Sequence, residues 1–269
     1  MLTEAFTEFL QSLTAPPAQT EAEYHQAWLS HVGGGADPLQ MAWQGGLLAD
    51  RFGFIFSAGY QAALRQIFPY LDQPDWSAFA VSEDRQPEDP LPGVRYVQRS
   101  DGYLLSGHKT WIAASACCRQ LIVSARGEGD SLYFAIDADR PEVEVHTRAP
   151  GRMLPDLSQG QAQLRDYPAA QPLDDSRVQS FAAAEVFYIY TAFLASTWRA
   201  CPARRGVVEQ CLAQAEQLSQ RTLPVWDAEQ LALDESVQAL VKSMRSVEGE
   251  ANPLWRRDYK LITMYARSR

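Results

Sequence analysis

Gly102-Tyr103-Leu104-Leu105-Ser106-Gly107-His108-Lys109-Thr110-Trp111-Ile112 is the stretch on which the reading of this chain turns. Its Tyr103-Leu104-Leu105 run is β-prone and follows the turn residues Ser100-Asp101-Gly102, which predicts one arm of a hairpin. Upstream stands a second informative segment, Phe79-Ala80-Val81-Ser82-Glu83, with Asp89 six residues on. Around these two lie further short β-prone runs: Val94-Arg95-Tyr96-Val97, Leu121-Ile122-Val123, Leu132 to Ile136, and Val143-Glu144-Val145. Turn signals separate them at Pro92-Gly93, Gly127 to Gly129 and Asp137 to Pro141. Short strands at this spacing predict a small antiparallel barrel or sandwich over residues 76–173, with a turn-rich tail from Pro150 to Pro172 leading back to helix.

Both flanks read as helical. Within residues 1–75, Leu2, Phe6, Phe9, Leu10 and Leu13 recur at helical spacing until Pro16-Pro17, and a second apolar stretch runs from Leu39 to Leu71. Gly53 and Gly59 inside that stretch either weaken the helix or mark close packing against a neighbour. Residues 174–269 return to helix: Asp174, Asp175 and Ser176 offer capping oxygens for a segment running to about Ala200, Pro202 and Pro224 punctuate two more, and a last one starts near Pro253. Helices, then strands, then helices predict an α+β fold with segregated layers: a helical N-terminal region, a central antiparallel β-barrel domain and a C-terminal helical bundle.

The composition removes several functions. The chain has 33 acidic against 24 basic residues, a formal net charge of −9, and no basic block that could neutralise phosphates, which argues against a nucleic-acid binder. Its longest apolar run, Val186 to Trp198, falls short of the about 20 residues a spanning helix needs. Glu4 and Glu8 stand where a secretory segment would be basic and apolar, and Cys117, Cys118, Cys201 and Cys211 lack disulfide or zinc spacing, so the expectation is a reduced, cytoplasmic protein without a membrane span. The four histidines are scattered, no G-x-S-x-G elbow or phosphate-binding loop occurs, and Gly33-Gly34-Gly35 has no Lys after it, so no metal site, serine hydrolase or nucleotide hydrolase is expected.

The two β segments together resemble the middle domain of the acyl-CoA dehydrogenase family, where an A-[LIVM]-[ST]-E strand end precedes a hairpin reading G-x-x-L-x-G-x-K-x-W-I. Phe68-Pro69-Tyr70-Leu71 and Arg257-Asp258 also fall where that family has similar residues, and the likeness is carried by about residues 40–200. The resemblance implies FAD along the edge of the β-domain. It implies flavin contacts from Phe79, Val81 and Ser82, Trp111 beside the ring system with Ile112 next to it, and Ala113 at the position whose family Thr bonds near the reactive nitrogen. An aromatic wall would exclude water while backbone N–H groups bond the polar edge of the ring. Taken alone, Trp111 fits a core position as well as a cofactor wall; the flanking motifs favour the wall. Lys109 and His108 read as solvated hairpin residues.

The pattern also departs from that family. Gln86-Pro87-Glu88-Asp89 replaces a Gly-Ser-Asp ending whose small residues admit the FAD pyrophosphate, and Glu88 would face phosphate charge. Ala113-Ala114 replaces a polar Thr-Asn pair, and neither the Arg-x-x-Phe-Gly loop nor the Gln-x-x-Gly-Gly turn that reaches a neighbour's FAD is present. The length implies a short member lacking helices at both ends.

Removal of an α-proton from an acyl thioester needs a carboxylate in a dry site that raises its pKa. The C-terminal Glu that many members use is absent, since the chain ends Tyr265-Ala266-Arg267-Ser268-Arg269. Glu185 is the only charged residue between Arg177 and Arg199, with Phe181, Tyr188 and Ala192 on its helical face. An isolated acid in such a run is either a catalytic base, an acid paired with an Arg or Tyr across a helix interface, or one pointing at solvent. Tyr188 and Tyr190 either line the same pocket or pack. Glu209, Glu216, Asp227, Glu229, Asp234 and Glu235 read as exposed helix faces, and Arg204-Arg205 and Arg256-Arg257 as solvated helix ends or contacts for a CoA phosphate.

The leading expectation is an FAD-dependent oxidoreductase carrying out α,β-oxidation of an acyl thioester on CoA or a carrier protein, with Glu185 as base, working as a homodimer. Two alternatives stand beside it: a non-catalytic or half-site subunit of a hetero-oligomer with a full-length homologue, and a flavin-dependent oxygenase or oxidase on the same scaffold.

Overall fold

The computed structural model describes residues 2–13, 16–32, 37–69, 71, 75–86, 88–174, 176–221, 223–245 and 259–267 of the 269-residue chain. Gly33-Gly34-Gly35, Tyr70, Pro87, Asp175, and Pro253 through Asp258 lie outside the described residues. The chain divides into two units, one formed by Met1–Asp72 with Ser180–Arg269 and the other by Gln73–Gln179.

The first unit is helical. Its helices are α1 (Leu2–Ser12), α2 (Glu21–His31), α3 (Pro38–Leu48), α4 (Phe52–Ile67), α5 (Phe181–Ala200), α6 (Arg205–Ser219), α7 (Ala228–Arg245) and α8 (Tyr259–Met264). Helix α2 has too short an apolar face to be marked by periodicity, yet Thr20 and Glu23 form a reciprocal capping box that defines its start. The apolar stretch from Leu39 to Leu71 is two helices rather than one. Asp37 caps α3 at the Gln40 amide, and the chain breaks at Ala49 to Arg51, where Asp50 and Arg51 pair with each other at 2.8 Å and Arg51 donates to the Gln19 carbonyl at 2.9 Å. Residues Asp174 and Ser176 do not cap α5, because Asp174 accepts from the Ser176 amide and hydroxyl in its own turn; the helix starts at Phe181, after a short 3-10 turn at Val178–Ser180.

Helix α5 is the buried centre of this unit. Gly59 of α4 sits where a Cβ would come within 2.4 Å of the Ile189 Cα, and Gly46 of α3 where one would come within 2.3 Å of the Ala192 carbonyl oxygen. Of the two readings open for Gly59, close packing against a neighbour is the one the structure shows. Residues Val178–Ala200 are long and apolar enough, by length and composition alone, to cross a membrane, a longer stretch than the run from Val186 suggests. Most of that stretch is buried within the unit.

The second unit is built of β1 (Trp76–Ala80), β2 (Arg95–Arg99), β3 (Gly102–Ala113), β4 (Cys118–Ala125), β5 (Leu132–Asp137), β6 (Val143–Arg148) and β7 (Gln159–Ala169). Among the described residues these form no closed barrel. They make a three-stranded sheet in the order β1-β4-β5 and a four-stranded sheet in the order β2-β3-β7-β6. Nor is the pairing wholly antiparallel, since β1 runs parallel to β4 with Phe79 opposite Ile122. The tail expected to be turns contains β7, which sits between β3 and β6. Its alternation is present but carried by small residues, with Gly160, Ala162 and Leu164 buried between half-buried glutamines, so it lacks the β-branched composition that marks a strand. Leu105 and Ile112 from one sheet and Ala80, Val123 and Phe134 from the other share one apolar core.

Candidate functional site

In the β unit, the end of β1 and the second half of β3 are joined through the backbone: the Thr110 amide donates to the Ser82 carbonyl at 3.0 Å. This places the Val81-Ser82 segment next to Trp111. Val81 is 37% exposed and Ser82 is exposed, an apolar and a polar side chain open to a ligand. Trp111 is half-buried, its indole fixed by donation from Nε1 to Gln159 Oε1 at 3.2 Å, while Gln159 Nε2 donates to the Met153 carbonyl at 2.7 Å. Phe79 is half-buried and stacks on Tyr133, with ring centroids 5.9 Å apart. Ile112 and Ala113 are core residues at 0% and 1% exposure, so a ligand here would meet them through backbone atoms.

Lys109 corrects the sequence reading. It is fully buried rather than solvated, and its ammonium donates to Glu83 Oε1 and to Ser124 Oγ, both at 3.0 Å. Burial pushes its pKa down and Glu83 opposes that shift. The Ser-Glu and Lys members of the two motifs are thus one ion pair that clasps the β1 end to β3.

The segment after Glu83 turns on itself. Asp84 accepts from the Leu91 amide at 3.0 Å and from the Gln86 amide at 3.1 Å, and these bonds hold its carboxyl below the usual carboxylate range. Two loop amides are therefore already occupied, and Glu88 and Asp89 are exposed beside them. Exposed Val81 and Ser82 beside half-buried Trp111 fit a flat aromatic ligand; Asp84, Glu88 and Asp89 give the following segment carboxylates, which a pyrophosphate would not favour.

In the helical unit, Glu185 is half-buried on α5 and Tyr265 Oη donates to its Oε1 at 3.4 Å. Burial raises the Glu185 pKa to about 7, against the opposing hydrogen bond from Tyr265. The Tyr265 phenol is in turn pushed well up by burial and by the Glu185 charge. Next to this pair lies a second buried acid. Asp234 of α7, read from sequence as exposed, is 0% exposed: Tyr190 Oη donates to its Oδ1 at 2.5 Å and the Arg267 amide donates to its Oδ2 at 2.8 Å. Gln238 Nε2 donates to Tyr190 Oη and to the Ile262 carbonyl, both at 2.9 Å. Asp234 was detectable, because Gln230, Leu233, Asp234, Val237, Val241 and Met244 form the buried stripe of α7 at helical spacing. Tyr190 is part of this network; Tyr188 is buried against Phe187.

The remaining candidates are occupied by structure. Cys117 and Cys118 are buried, and burial pushes the Cys118 thiol up to about 12. Arg205 stacks over Trp198 at 4.4 Å and donates to the Trp198 carbonyl at 3.0 Å.

The fold is that of the acyl-CoA dehydrogenase-like proteins, with a helical unit drawn from both parts of the chain and a β unit inserted between them. Among solved structures, the prolyl acyl carrier protein oxidase AnaB matches with a TM-score of 0.70 at 13% identity, over 99% of this chain and 93% of that one. PigA with FAD and proline matches with a TM-score of 0.65 at 16% identity, over 99% and 89%. A glutaryl-CoA dehydrogenase from Mycobacterium smegmatis in complex with FADH2 matches with a TM-score of 0.64 at 11% identity, over 99% and 90%. No family model and no curated relative matches the sequence. At these identities the likeness is one of fold, and it extends beyond residues 40–200 into both ends of the chain.

Proposed function

We propose that this chain is a flavin-dependent oxidoreductase of the acyl-CoA dehydrogenase-like fold that oxidises an acyl thioester across its α,β bond, with Glu185 as the base. The observation that carries the proposal is Glu185 itself: an acid half-buried on an apolar helix, with a pKa of about 7 and a phenol as its bonded partner. A base poised near neutral pH accepts an α-proton without being permanently protonated. A bound flavin would supply the acceptor for the hydride leaving the β-carbon.

Trp111, held by Gln159, offers a fixed aromatic face, and Val81 and Ser82 offer the adjoining apolar and polar contacts. Glu185 would hold the α-proton on its carboxylate as the double bond forms between the α- and β-carbons. AnaB is named for action on an acyl carrier protein thioester and the Mycobacterium smegmatis enzyme for action on a CoA thioester, so both carriers belong in the substrate screen.

The test is anaerobic mixing of flavin-loaded protein with acyl thioesters on CoA and on a carrier protein, followed by loss of the oxidised flavin absorbance. Wild type should bleach, and Glu185→Gln should bleach about 10²-fold to 10⁴-fold more slowly. Bleaching of Glu185→Gln at the wild-type rate overturns the base assignment. The oxidase alternative gains support from the activity in AnaB's name, and oxygen consumption during turnover separates it from a dehydrogenase. The subunit alternative is favoured by the Asp84 loop, whose amides are taken and whose neighbours are acidic. Co-purification with a larger flavoprotein, without flavin of its own, would support it.

A further inference from the structure

We propose that Tyr265 is a positioning residue for Glu185, and that Asp234 and Gln238 of α7 hold the segment that carries it. The inference rests on the reading of Glu185 as the base and assigns that base its orienting group. Tyr265 directly follows the described helix α8, and its hydroxyl reaches the Glu185 carboxylate from a different element. That reach depends on where the segment from Ile262 to Arg267 lies. Two bonds fix it on either side of Tyr265, Gln238 to the Ile262 carbonyl and the Arg267 amide to Asp234, and Tyr190 links the two anchoring side chains by receiving from Gln238 and donating to Asp234. Tyr190 and Glu185 are on the same helix, so the anchor and the anchored carboxylate share one rigid support.

The chemistry gives Tyr265 two effects. Donating to one carboxylate oxygen leaves the other to accept a proton, which selects a single orientation of the base. Stabilising the ionised form also offsets part of the cost of burial. Among the described residues, the titratable neighbours of Tyr265 besides Glu185 are Tyr60 from α4 and Tyr190 from α5, with Asp234 from α7 and Arg267 acting on Tyr190. Tyr190 is itself pushed up by burial and by Asp234, so it stays neutral while Glu185 titrates.

The experiment is a carbon-13 NMR titration of the Glu185 carboxyl in the purified full-length protein, run on wild type, Tyr265→Phe, Asp234→Asn and the double variant, with Glu185→Gln to assign the signal. It needs neither substrate nor cofactor. Tyr265→Phe should raise the Glu185 midpoint by about half a unit or more. Asp234→Asn, in which an NH2 donor replaces one of the two acceptor oxygens that hold Tyr190 and the Arg267 amide, should move it the same way, and the double variant should move it no further than Tyr265→Phe alone. The pH dependence of flavin bleaching should shift by the same amount. An unchanged midpoint in a folded Tyr265→Phe variant overturns the proposal. A midpoint that moves with Tyr265→Phe but not with Asp234→Asn overturns the role of Asp234. If the midpoint moves as expected while Glu185→Gln still bleaches flavin at the wild-type rate, the contact stands and the reading of Glu185 as base fails. If Glu185→Gln is inactive and Tyr265→Phe shifts neither titration nor pH profile, the base stands and the positioning role fails.

Discussion

Lys109 and Glu83, 26 residues apart in sequence, form an ion pair at 3.0 Å in which the lysine side chain has no exposure and the glutamate retains 24%. Gly93 completes the site, because a Cβ there would lie 2.5 Å from the Glu83 carboxyl carbon. The charge inside the β unit is therefore the lysine, and its partner is the group whose loss is most damaging.

Glu83→Gln should destabilise the protein by about 3–5 kcal/mol at pH 7, since it leaves a buried ammonium without a counter-charge. The lysine's folded pKa lies below its unfolded value, so the cost of the buried charge is present while both states are protonated and disappears as pH rises past both values. The deficit of Glu83→Gln should accordingly shrink toward pH 10 in chemical denaturation. A deficit that is absent at pH 7 would contradict the clasp.

Glu185 gives the opposite sign on pH. Its folded pKa of about 7 lies above the ordinary glutamate value of 4.5, so its burial costs nothing when both states are protonated and is fully felt above about pH 7. Stability attributable to this residue should fall as pH rises from about 4.5 to about 7. Glu185→Gln should equal wild type near pH 4 and exceed it by about 3 kcal/mol at pH 8, measured by urea unfolding at each pH.

Gly59→Ala should cost about 1–3 kcal/mol or more, because the added methyl would meet backbone of α5 at Ile189 and neither helix can yield locally. Differential scanning calorimetry reads this as a lowered Tm with the fold otherwise retained.

Gln159→Ala removes the acceptor that orients the Trp111 indole. It should weaken FAD binding about 5-fold to 10-fold, the value of one hydrogen bond, in a fluorescence titration, while thermal stability changes little. Unchanged affinity would separate Trp111 from the flavin site.

Much of the fold is legible in local patterns. The strands over residues 94–97, 103–105, 121–123, 132–136 and 143–145 carry β-branched or aromatic residues, and Gly59 marks a close helix contact. The strand β7 escapes because Gly160 and Ala162 supply its alternation, and β1 pairs in parallel with β4, a register no local signal encodes. The isolation of Glu185 on its helix is visible in the sequence; its partner Tyr265, 80 residues away, is not. At Lys109 and Asp234 residue type alone points to solvent, whereas their positions in the pattern point inward. Period-2 alternation from Leu105 and the apolar stripe of α7 place both of them inward.

Whether this chain holds its own flavin is tested most directly by the visible absorption spectrum of the purified protein before and after titration with excess FAD and gel filtration. Oxidised flavin bands should be retained at close to one equivalent per chain, despite the acidic side chains of Asp84, Glu88 and Asp89. A protein that stays colourless after the titration would contradict it and would move the chain to the role of a subunit on another flavoprotein.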